Sequence, residues 1–122
     1  LGLRDLDARN KKRREIAHCF ADALPSGMRV IVQHGQNAVA HLCVVEGQNA
    51  GELAKTLQAS GISSAVHYPI PDHRQPLDFE FDVCANGLFE TERLIGNMLS
   101  LPCYPEMTDE EINAVFEVLS RA

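Results

Sequence analysis

The segment that most constrains the fold is residues 67–76, which read His-Tyr-Pro-Ile-Pro-Asp-His-Arg-Gln-Pro. Each proline fixes its own φ angle and biases the residue before it toward an extended conformation, so the segment is predicted to be a rigid loop. The loop carries imidazole, phenol and amide groups, which bind ligands through hydrogen bonds. From these residues alone, two interpretations stay open: a ligand-contacting loop, or a surface turn stiffened by proline.

The first 45 residues show one helical pattern and then two strand patterns. Pro-Ser-Gly at residues 25–27 would end a long amphipathic first helix. Two apolar, β-branched runs at residues 28–33 and 39–45 flank a turn-like stretch at residues 34–37 and predict an antiparallel hairpin. His41 would lie in the second strand, which favours a core histidine over a ligand. The apolar positions of the first helix are Leu3, Leu6, Ile16, Ala17, Phe20 and Leu24.

A second helix and a third strand are predicted between the hairpin and the loop. Asn49, followed three residues later by Glu52, resembles a helix start, and Gly61 stands where a left-handed C-terminal glycine belongs. Residues 62–68 then return as a strand that runs into the loop. The expected fold is a small α/β (α+β) sandwich, in which an antiparallel sheet of about three strands packs against helices.

The pattern after the loop is weaker until the last helix. Residues 77–89 alternate acidic and apolar side chains, which fits either an edge strand or an ordered loop. Residues 90–99 are predicted to be helical, and prolines bracket an extended link at residues 101–106. Thr108 and Glu111 form a capping box that starts the final helix. The apolar stripe of that helix consists of Ile112, Val115, Phe116 and Leu119.

Length and composition limit the class of protein. With 122 residues, the chain is expected to form one domain, residues 1–122, with its own core. A formal charge of -6 argues against a nucleic-acid partner, and the basic run at residues 11–14 is interpreted as a solvated helix face. No apolar stretch approaches the ~20 residues that cross a bilayer, and no signal-peptide pattern is present, so we expect no membrane contact and a cytoplasmic location.

Residue types alone do not define a reaction. Four scattered cysteines predict free, mostly buried thiols, and nothing in the sequence places a base beside one of them. His67 and His73 lie on the predicted loop without the helical spacing or cysteine partners of a specific zinc motif, so no metal site is expected. Neither a glycine-rich dinucleotide loop nor a Walker-type phosphate loop occurs.

The order of several segments resembles a known family. Residues 67–76 are followed by Leu-Ser-Leu-Pro at residues 99–102 and by Cys-Tyr-Pro-Glu-Met-Thr-Asp-Glu-Glu-Ile at residues 103–112. Together these segments resemble the C-terminal small domain of a nucleotide-sugar aminotransferase of the DegT/StrS family of pyridoxal-phosphate enzymes. The resemblance runs nearly end to end. Further matching segments are residues 13–17, residues 40–42, Gly61-Ile62 and Thr91-Glu92.

The resemblance implies a fold and a substrate. The fold would be that of the C-terminal domain of a fold-type I pyridoxal-phosphate-dependent transferase. The form of the loop looks closest to transaminases that aminate a dTDP- or UDP-linked keto-hexose for lipopolysaccharide or other surface glycans. The loop would contact the nucleotide sugar at the mouth of the active site, and Arg74, more weakly implied, would pair with phosphate. The implied substrate-binding residues are His67, Tyr68, His73 and Gln75.

The catalytic groups of that family have no match in the sequence. Such an enzyme needs a Schiff-base lysine, a carboxylate at the pyridinium nitrogen and a phosphate cup. Lys11, Lys12 and Lys55 match no such motif. The resemblance therefore implies pyridoxal phosphate in the parent enzyme, none bound to this chain, and no transamination without the large catalytic domain. Smaller departures from the family pattern are Glu46, Ala50 and Phe89-Glu90.

Two functions of different class stay open. The first is the small domain of a sugar aminotransferase, which contributes substrate-binding loop residues and is inactive alone. The second is a free-standing nucleotide-sugar binding module or protein interaction module without catalysis. Without the large domain as a partner, an exposed apolar patch would drive self-association, so a homo-oligomer is expected.

Overall fold

The computed structural model describes residues 3–31, 38–76 and 87–122. These residues form a mixed α/β structure of four helices and a three-stranded antiparallel sheet, which confirms the predicted fold class. A short 3₁₀-helix, Asp72–Arg74, lies within the proline loop. In chain order the other elements are α1 (Leu6–Ala23), β1 (Arg29–Val30), β2 (Cys43–Glu46), α2 (Ala50–Ala59), α3 (Phe89–Leu94), β3 (Met98–Leu101) and α4 (Asp109–Arg121).

The sheet has the strand order β1-β2-β3, so β2 is its central strand. Val45 is opposite Val30 on one side and Leu99 on the other, and these three side chains belong to the core or pack against it. Because residues opposite each other share a face of the sheet, Val44 and its partner Ser100 point to the other face. Ser100 is thereby placed on the face away from the core helices.

Three helices supply the apolar layer that covers the sheet. Phe20 of α1, Leu57 of α2 and Leu119 of α4 are completely buried. Their buried neighbours recur at the three- and four-residue spacing of an amphipathic helix, as predicted. Each such side chain contributes about 1.5 to 3 kcal/mol by leaving water. Leu3 and Leu6, predicted for the same stripe, are exposed because they precede the part of α1 that contacts the sheet.

The structure confirms the predicted start of α4 and the predicted end of α2, but not the predicted side-chain cap at the start of α2. Thr108 and Glu111 form the predicted capping box, with Thr108 N–H donating to Glu111 Oε2 at 2.8 Å and Glu111 N–H to Thr108 Oγ1 at 3.2 Å. Gly61 has a φ of +76° and ends α2 in a Schellman arrangement. Asn49 is the residue before α2, but its side chain makes no capping hydrogen bond.

The third strand of the sheet is not the predicted one. Residues 62–68 contribute only an isolated bridge, in which Ala65 and Ser100 exchange two backbone hydrogen bonds. Residues 90–99 are helical only as far as Leu94, and β3 follows at Met98. A short apolar run such as residues 98–101 fits the periodicity of a helix as well as that of a strand. The backbone N–H and C=O groups of β2, however, need hydrogen-bond partners along the full length of the strand. Pairing with β2 therefore overrides the helical pattern.

The predicted hairpin is correct in pairing and wrong in its bounds. β1 and β2 are antiparallel, but β2 starts at Cys43 because Ala40 adopts a positive φ of 49°, which interrupts an extended strand. His41 is exposed outside the strand, so its prediction as a core histidine is wrong. The predicted turn at residues 34–37 and most of the uncertain stretch at residues 77–89 lie outside the described residues.

The basic run at residues 11–14 of α1 is predicted to be a solvated helix face, but it is only partly solvated. Arg13 donates to the carbonyl of Cys103 at 2.7 Å, and Arg14 donates to that of Ala38 at 3.2 Å. Both arginines are half-buried, since their guanidinium groups satisfy carbonyls of loops packed beside α1. These groups join α1 to the loops before β2 and after β3.

Candidate functional site

The proline loop leaves the sheet beside β3. The bridge between Ala65 and Ser100 aligns the incoming chain with this strand, and His67 follows two residues later. His67 Nδ1 lies 2.9 Å from Ser100 Oγ, which places the imidazole against the buried serine. The sheet therefore sets the position of the first predicted site residue.

The far end of the loop contacts α3 through a single carboxylate. The 3₁₀-helix carries His73, whose Nε2 lies 2.5 Å from Glu92 Oε1. Arg74 also pairs with Glu92, through its Nε at 3.2 Å and through an ion pair of its Nη2. The hydrogen bond from His73, followed by the charge of Arg74, lowers the pKa of Glu92. An ionised Glu92 thus accepts hydrogen bonds from two consecutive loop residues.

The four predicted substrate-binding residues occupy different places along the loop. His67 and Tyr68 are neighbours whose rings meet edge to face, with centroids 5.5 Å apart, and Tyr68 is 74% exposed. His73 is grouped with Glu92 at the other end. Gln75 Nε2 donates to the carbonyl of Ile70 at 2.9 Å, so this side chain braces the loop backbone. The ligand contacts predicted for these residues stay predictions.

Sequence reasoning missed Ser100 and Glu92 as parts of this site. Both lie in segments that carry the family resemblance, Leu-Ser-Leu-Pro and Thr-Glu, so the signal was present. Their partners are 33 and 19 residues away in sequence, at His67 and His73. No local pattern connects such distant positions.

Two cavities lined by described residues are candidate ligand sites. One of about 220 Å³ lies beside His67 and Ser100. A larger one of about 640 Å³ is lined by Glu46, Arg29 and Arg93 and by no residue of the proline loop. Both arginines pair with Glu46, and the hydrogen bond from Arg29 is the main cause of its lowered pKa. The smaller cavity is the one associated with the loop, because His67 is among its lining residues.

The described residues offer little chemistry of their own. They contain no group of three or more His, Cys, Asp or Glu side chains arranged to hold a metal ion. The three described cysteines, Cys19, Cys43 and Cys103, are free. Burial raises the pKa of Cys43 to about 12 and also raises that of Cys103, so both thiols stay protonated at neutral pH. Among residues 3–31, 38–76 and 87–122, no helix is both long and apolar enough to cross a membrane.

The lysines do not fit a Schiff-base role. Lys55 and Lys11 have side chains 73% exposed, and they pair with acidic residues on their own helices. Lys12 lies 3.5 Å from Asp109 of α4 and is 36% exposed. A Schiff-base lysine is activated by desolvation or by a neighbouring cation, and none of these three ion-paired groups is in such an environment. None of the three lysines is therefore placed as a Schiff-base lysine is, and the expectation that this chain binds no pyridoxal phosphate stays a prediction.

Structural similarity defines the class of protein to which this fold belongs. A DegT/DnrJ/EryC1/StrS aminotransferase from Brucella abortus superimposes with a TM-score of 0.85 and 27% sequence identity, covering 96% of this chain and 32% of that chain. The fold is that of part of a fold-type I aminotransferase.

The chain belongs to the DegT/DnrJ/EryC1/StrS aminotransferase family, which it matches over residues 2–120. It is 34% identical over 120 residues to the UDP-N-acetyl-3-dehydro-α-D-glucosamine 3-aminotransferase of Acidithiobacillus ferrooxidans, covering 95% of this chain and 31% of that protein. It is 30% identical over 118 residues to the dTDP-3-amino-3,6-dideoxy-α-D-galactopyranose transaminase of Aneurinibacillus thermoaerophilus, with coverages of 95% and 32%.

These matches confirm the resemblance read from the sequence. The family depends on pyridoxal phosphate. The chain spans about a third of the length of the curated relatives that it matches.

Proposed function

We propose that this chain is the substrate-loop part of a pyridoxal-phosphate-dependent nucleotide-sugar aminotransferase. In this role it presents His67, Tyr68, His73 and Gln75 to the nucleotide sugar and does not transaminate alone. The observation that carries the proposal is the nearly end-to-end match to about a third of enzymes that act on dTDP- and UDP-linked sugars. The product would be an amino sugar for lipopolysaccharide or another surface glycan, made in the cytoplasm.

The geometry of the loop supports a binding role. Tyr68 presents an exposed phenol beside His67, and phenol and imidazole groups are able to form hydrogen bonds with sugar hydroxyls or diphosphate oxygens. The loop is held by its prolines and by polar contacts at both ends. A loop that is ordered before binding loses little conformational entropy when the ligand arrives.

The cofactor would be held by residues other than those of this chain. Pyridoxal phosphate supplies an electron sink for amino-group transfer, and its protein must offer a lysine for attachment. The exposed, ion-paired lysines described above do not meet that need. We therefore assign cofactor binding to the part of the relatives that this chain does not match, which corresponds to their large domain.

A chimera tests the proposal. The matching third of the Acidithiobacillus ferrooxidans relative is replaced by this chain, and amination of UDP-N-acetyl-3-dehydro-α-D-glucosamine is measured. The chimera should trap pyridoxal phosphate with borohydride and aminate this substrate, whereas the isolated chain should trap none. In the chimera, His67→Ala with Tyr68→Phe should lower kcat/KM roughly tenfold or more at unchanged trapping.

Two results would contradict the proposal. Unchanged kcat/KM in the double variant would show that His67 and Tyr68 do not bind the substrate. Stoichiometric trapping of the cofactor on one lysine of the isolated chain would show that the catalytic machinery is present after all. A chimera that traps no cofactor is replaced by one with a junction shifted into the loop between α1 and β1.

A free-standing binding module is the second candidate. It is favoured by the core, in which residues of α1, α2, α4 and the sheet pack against one another within this chain. Isothermal titration of the isolated chain with UDP-N-acetylglucosamine separates the two: micromolar affinity supports the module, and millimolar affinity supports the loop as part of a larger enzyme.

Self-association stays a further prediction of this proposal. Tyr68 and Phe89 expose 74% and 73% of their surface, and separation from the large domain would leave further apolar surface uncovered and favour association. Sedimentation velocity at micromolar concentration should show a dimer or larger assembly, and a clean monomer would contradict the prediction.

A further inference from the structure

We propose that Ser100 and Glu92 are positioning residues, which hold His67 and the His73-Arg74 pair so that the loop is ordered before the nucleotide sugar binds. Neither residue is assigned a contact with the ligand. The inference rests on the proposed function, because it explains how the loop of that function is kept in place. It concerns two side chains on different elements, β3 and α3, that act on opposite ends of one loop.

The first anchor is rigid because the sheet fixes it. Ser100 is 5% exposed and pairs with Val44 of the central strand. Its backbone also exchanges hydrogen bonds of 2.6 and 3.2 Å with Ala65, two residues before His67. The hydroxyl and the imidazole therefore approach each other from two segments that are already joined. Rotation of the His67 ring would break the 2.9 Å contact with Ser100 Oγ.

This contact has a chemical consequence for the other ring nitrogen of His67. In a neutral imidazole one nitrogen carries the proton and the other accepts. If Nδ1 donates to Ser100 Oγ, then Nε2 is an acceptor suited to a sugar hydroxyl; if Nδ1 accepts from the hydroxyl, then Nε2 is a donor suited to an oxygen of the diphosphate. The role of Nε2 toward the ligand is thus linked to the direction of the hydrogen bond between Nδ1 and Ser100.

The second anchor works through charge rather than burial. Glu92 accepts from His73 at 2.5 Å and pairs with Arg74, while its backbone is held in α3 by a 2.9 Å hydrogen bond to Leu88. The side chains of Glu92 and Arg74 are 37% and 56% exposed, so the pair adds little to global stability. It does restrict the side chains of His73 and Arg74, which would otherwise have to become ordered when the ligand binds.

The test measures ligand affinity in matched variants of the whole chain. UDP-N-acetylglucosamine and dTDP-glucose are titrated as probes against the wild type, Glu92→Gln and Ser100→Ala. We expect each variant to bind about threefold to tenfold more weakly, since side chains ordered in the wild type must be ordered by the ligand. Ser100→Thr, which keeps the hydroxyl, should retain most of the affinity.

Two control variants make the same chemical changes elsewhere. Glu90→Gln removes a carboxylate from the same helix, where it pairs with Arg93 at 2.8 Å instead of with the loop. Ser120→Ala removes a hydroxyl that bonds within α4, to the carbonyl of Phe116. Both controls should bind the probes within about twofold of the wild type, because neither touches the loop.

A spectroscopic readout separates positioning from general destabilisation. In long-range proton–nitrogen spectra of the histidine rings, Ser100→Ala should shift the resonances of His67 and leave those of His73 unchanged. Glu92→Gln should do the reverse. A variant that merely loosened the fold would move both rings together, along with the resonances of His18 on α1.

The outcomes are distinct. No binding by the wild type counts against the proposed function and therefore against this inference, whereas equal binding by the wild type and Glu92→Gln overturns the inference alone. Tighter binding by Glu92→Gln also overturns it, since Glu92 would then compete with the ligand phosphate for Arg74. Should Ser100→Ala fail to fold, the partly exposed Glu92→Gln decides.

Discussion

The helical side of the sheet and the proline loop are ordered by different forces. On the helical side, α1, α2 and α4 bury apolar side chains that contact one another without directional bonds. In the loop, the 3₁₀-helix has no buried residue, and its order comes from prolines and from hydrogen bonds to Ser100, Glu92 and Ile70. Stability and the candidate site are therefore carried by different parts of the molecule.

This division has a consequence for substitutions. Removal of a buried apolar group should lower the free energy of unfolding, because transfer from water and close packing are both lost. Removal of a loop contact should leave global stability nearly unchanged and alter local order or ligand affinity instead.

The largest effect is expected in the core. Phe20→Ala should lower the free energy of unfolding by about 3 to 5 kcal/mol, since the ring is completely buried in the core. Phe89→Ala is the matched control, because its ring is 73% exposed, and it should change stability by less than about 0.5 kcal/mol. Urea unfolding followed by circular dichroism measures both, and similar losses would contradict the division.

The junction between the two regions can be tested with two glycines, one inside α2 and one just after its end. Gly61→Ala should cost about 1 to 2 kcal/mol, because Gly61 has a φ of +76° and no atom lies within 4 Å of an added Cβ to compensate. Gly51→Ala, inside α2 and equally uncrowded, should gain about 0.5 kcal/mol. Thermal unfolding of both variants checks the opposite signs.

Glu46 provides a pH test at the end of the central strand, β2. Arg29, then Arg93, lowers the pKa of Glu46 in the folded chain. Its ionised form therefore stabilises the fold above the unfolded value, near 4, and the stabilisation is lost as the pH falls through the lower folded value. Glu46→Gln should be less stable than the wild type by about 1 kcal/mol at pH 7.

The same variant separates an ion pair from simple packing. The difference between the wild type and Glu46→Gln should shrink as the pH is lowered below about 4, in unfolding curves recorded from pH 7 to pH 3. Glu52→Gln, which removes an exposed carboxylate paired with Lys55, serves as the control and should differ little from the wild type at any of these pH values. A difference for Glu46→Gln that grows on acidification would refute the assignment.

The smallest effect on stability is expected in the loop. Gln75→Ala removes the hydrogen bond to Ile70 and should change the free energy of unfolding by less than about 0.5 kcal/mol. It should nevertheless speed exchange of the Arg74 and Gln75 amides, which bond to Pro71 and Asp72 within the loop. Gln58→Ala on the exposed side of α2 is the control. Unchanged exchange in Gln75→Ala would show that the prolines alone order the loop.

Signals carried by neighbouring residues predicted much of the fold. The capping box of Thr108 and Glu111, the left-handed Gly61 and the buried stripes of α1 and α4 could be predicted from the sequence, because each depends on positions within a few turns of helix. The third strand was not readable. Residues 98–101 have the apolar composition of either a helix or a strand, and only the unpaired edge of β2 distinguishes them.

The candidate site likewise has a part that could be predicted from the sequence and a part that could not. The loop could be found from its prolines, imidazoles and phenol, and the family resemblance gave these groups a hypothetical ligand. The contacts of Ser100 with His67 and of Glu92 with His73 could not be found from the sequence. The hydrogen bond from Arg13 to the carbonyl of Cys103, 90 residues away, could not be found either. Each of these contacts joins segments that approach only when the sheet is assembled.

By itself, the sequence determined which stretches are amphipathic, where α2 ends and α4 begins, and which ten residues form a stiff polar loop. These properties follow from side-chain periodicity and backbone preference, which act over a few residues. The tertiary structure decided the third strand, the exposure of His41 and the partners that hold the loop. Those depend on which distant backbone and side-chain groups satisfy one another, because hydrogen bonds form only between groups that the packed fold brings within about 3 Å.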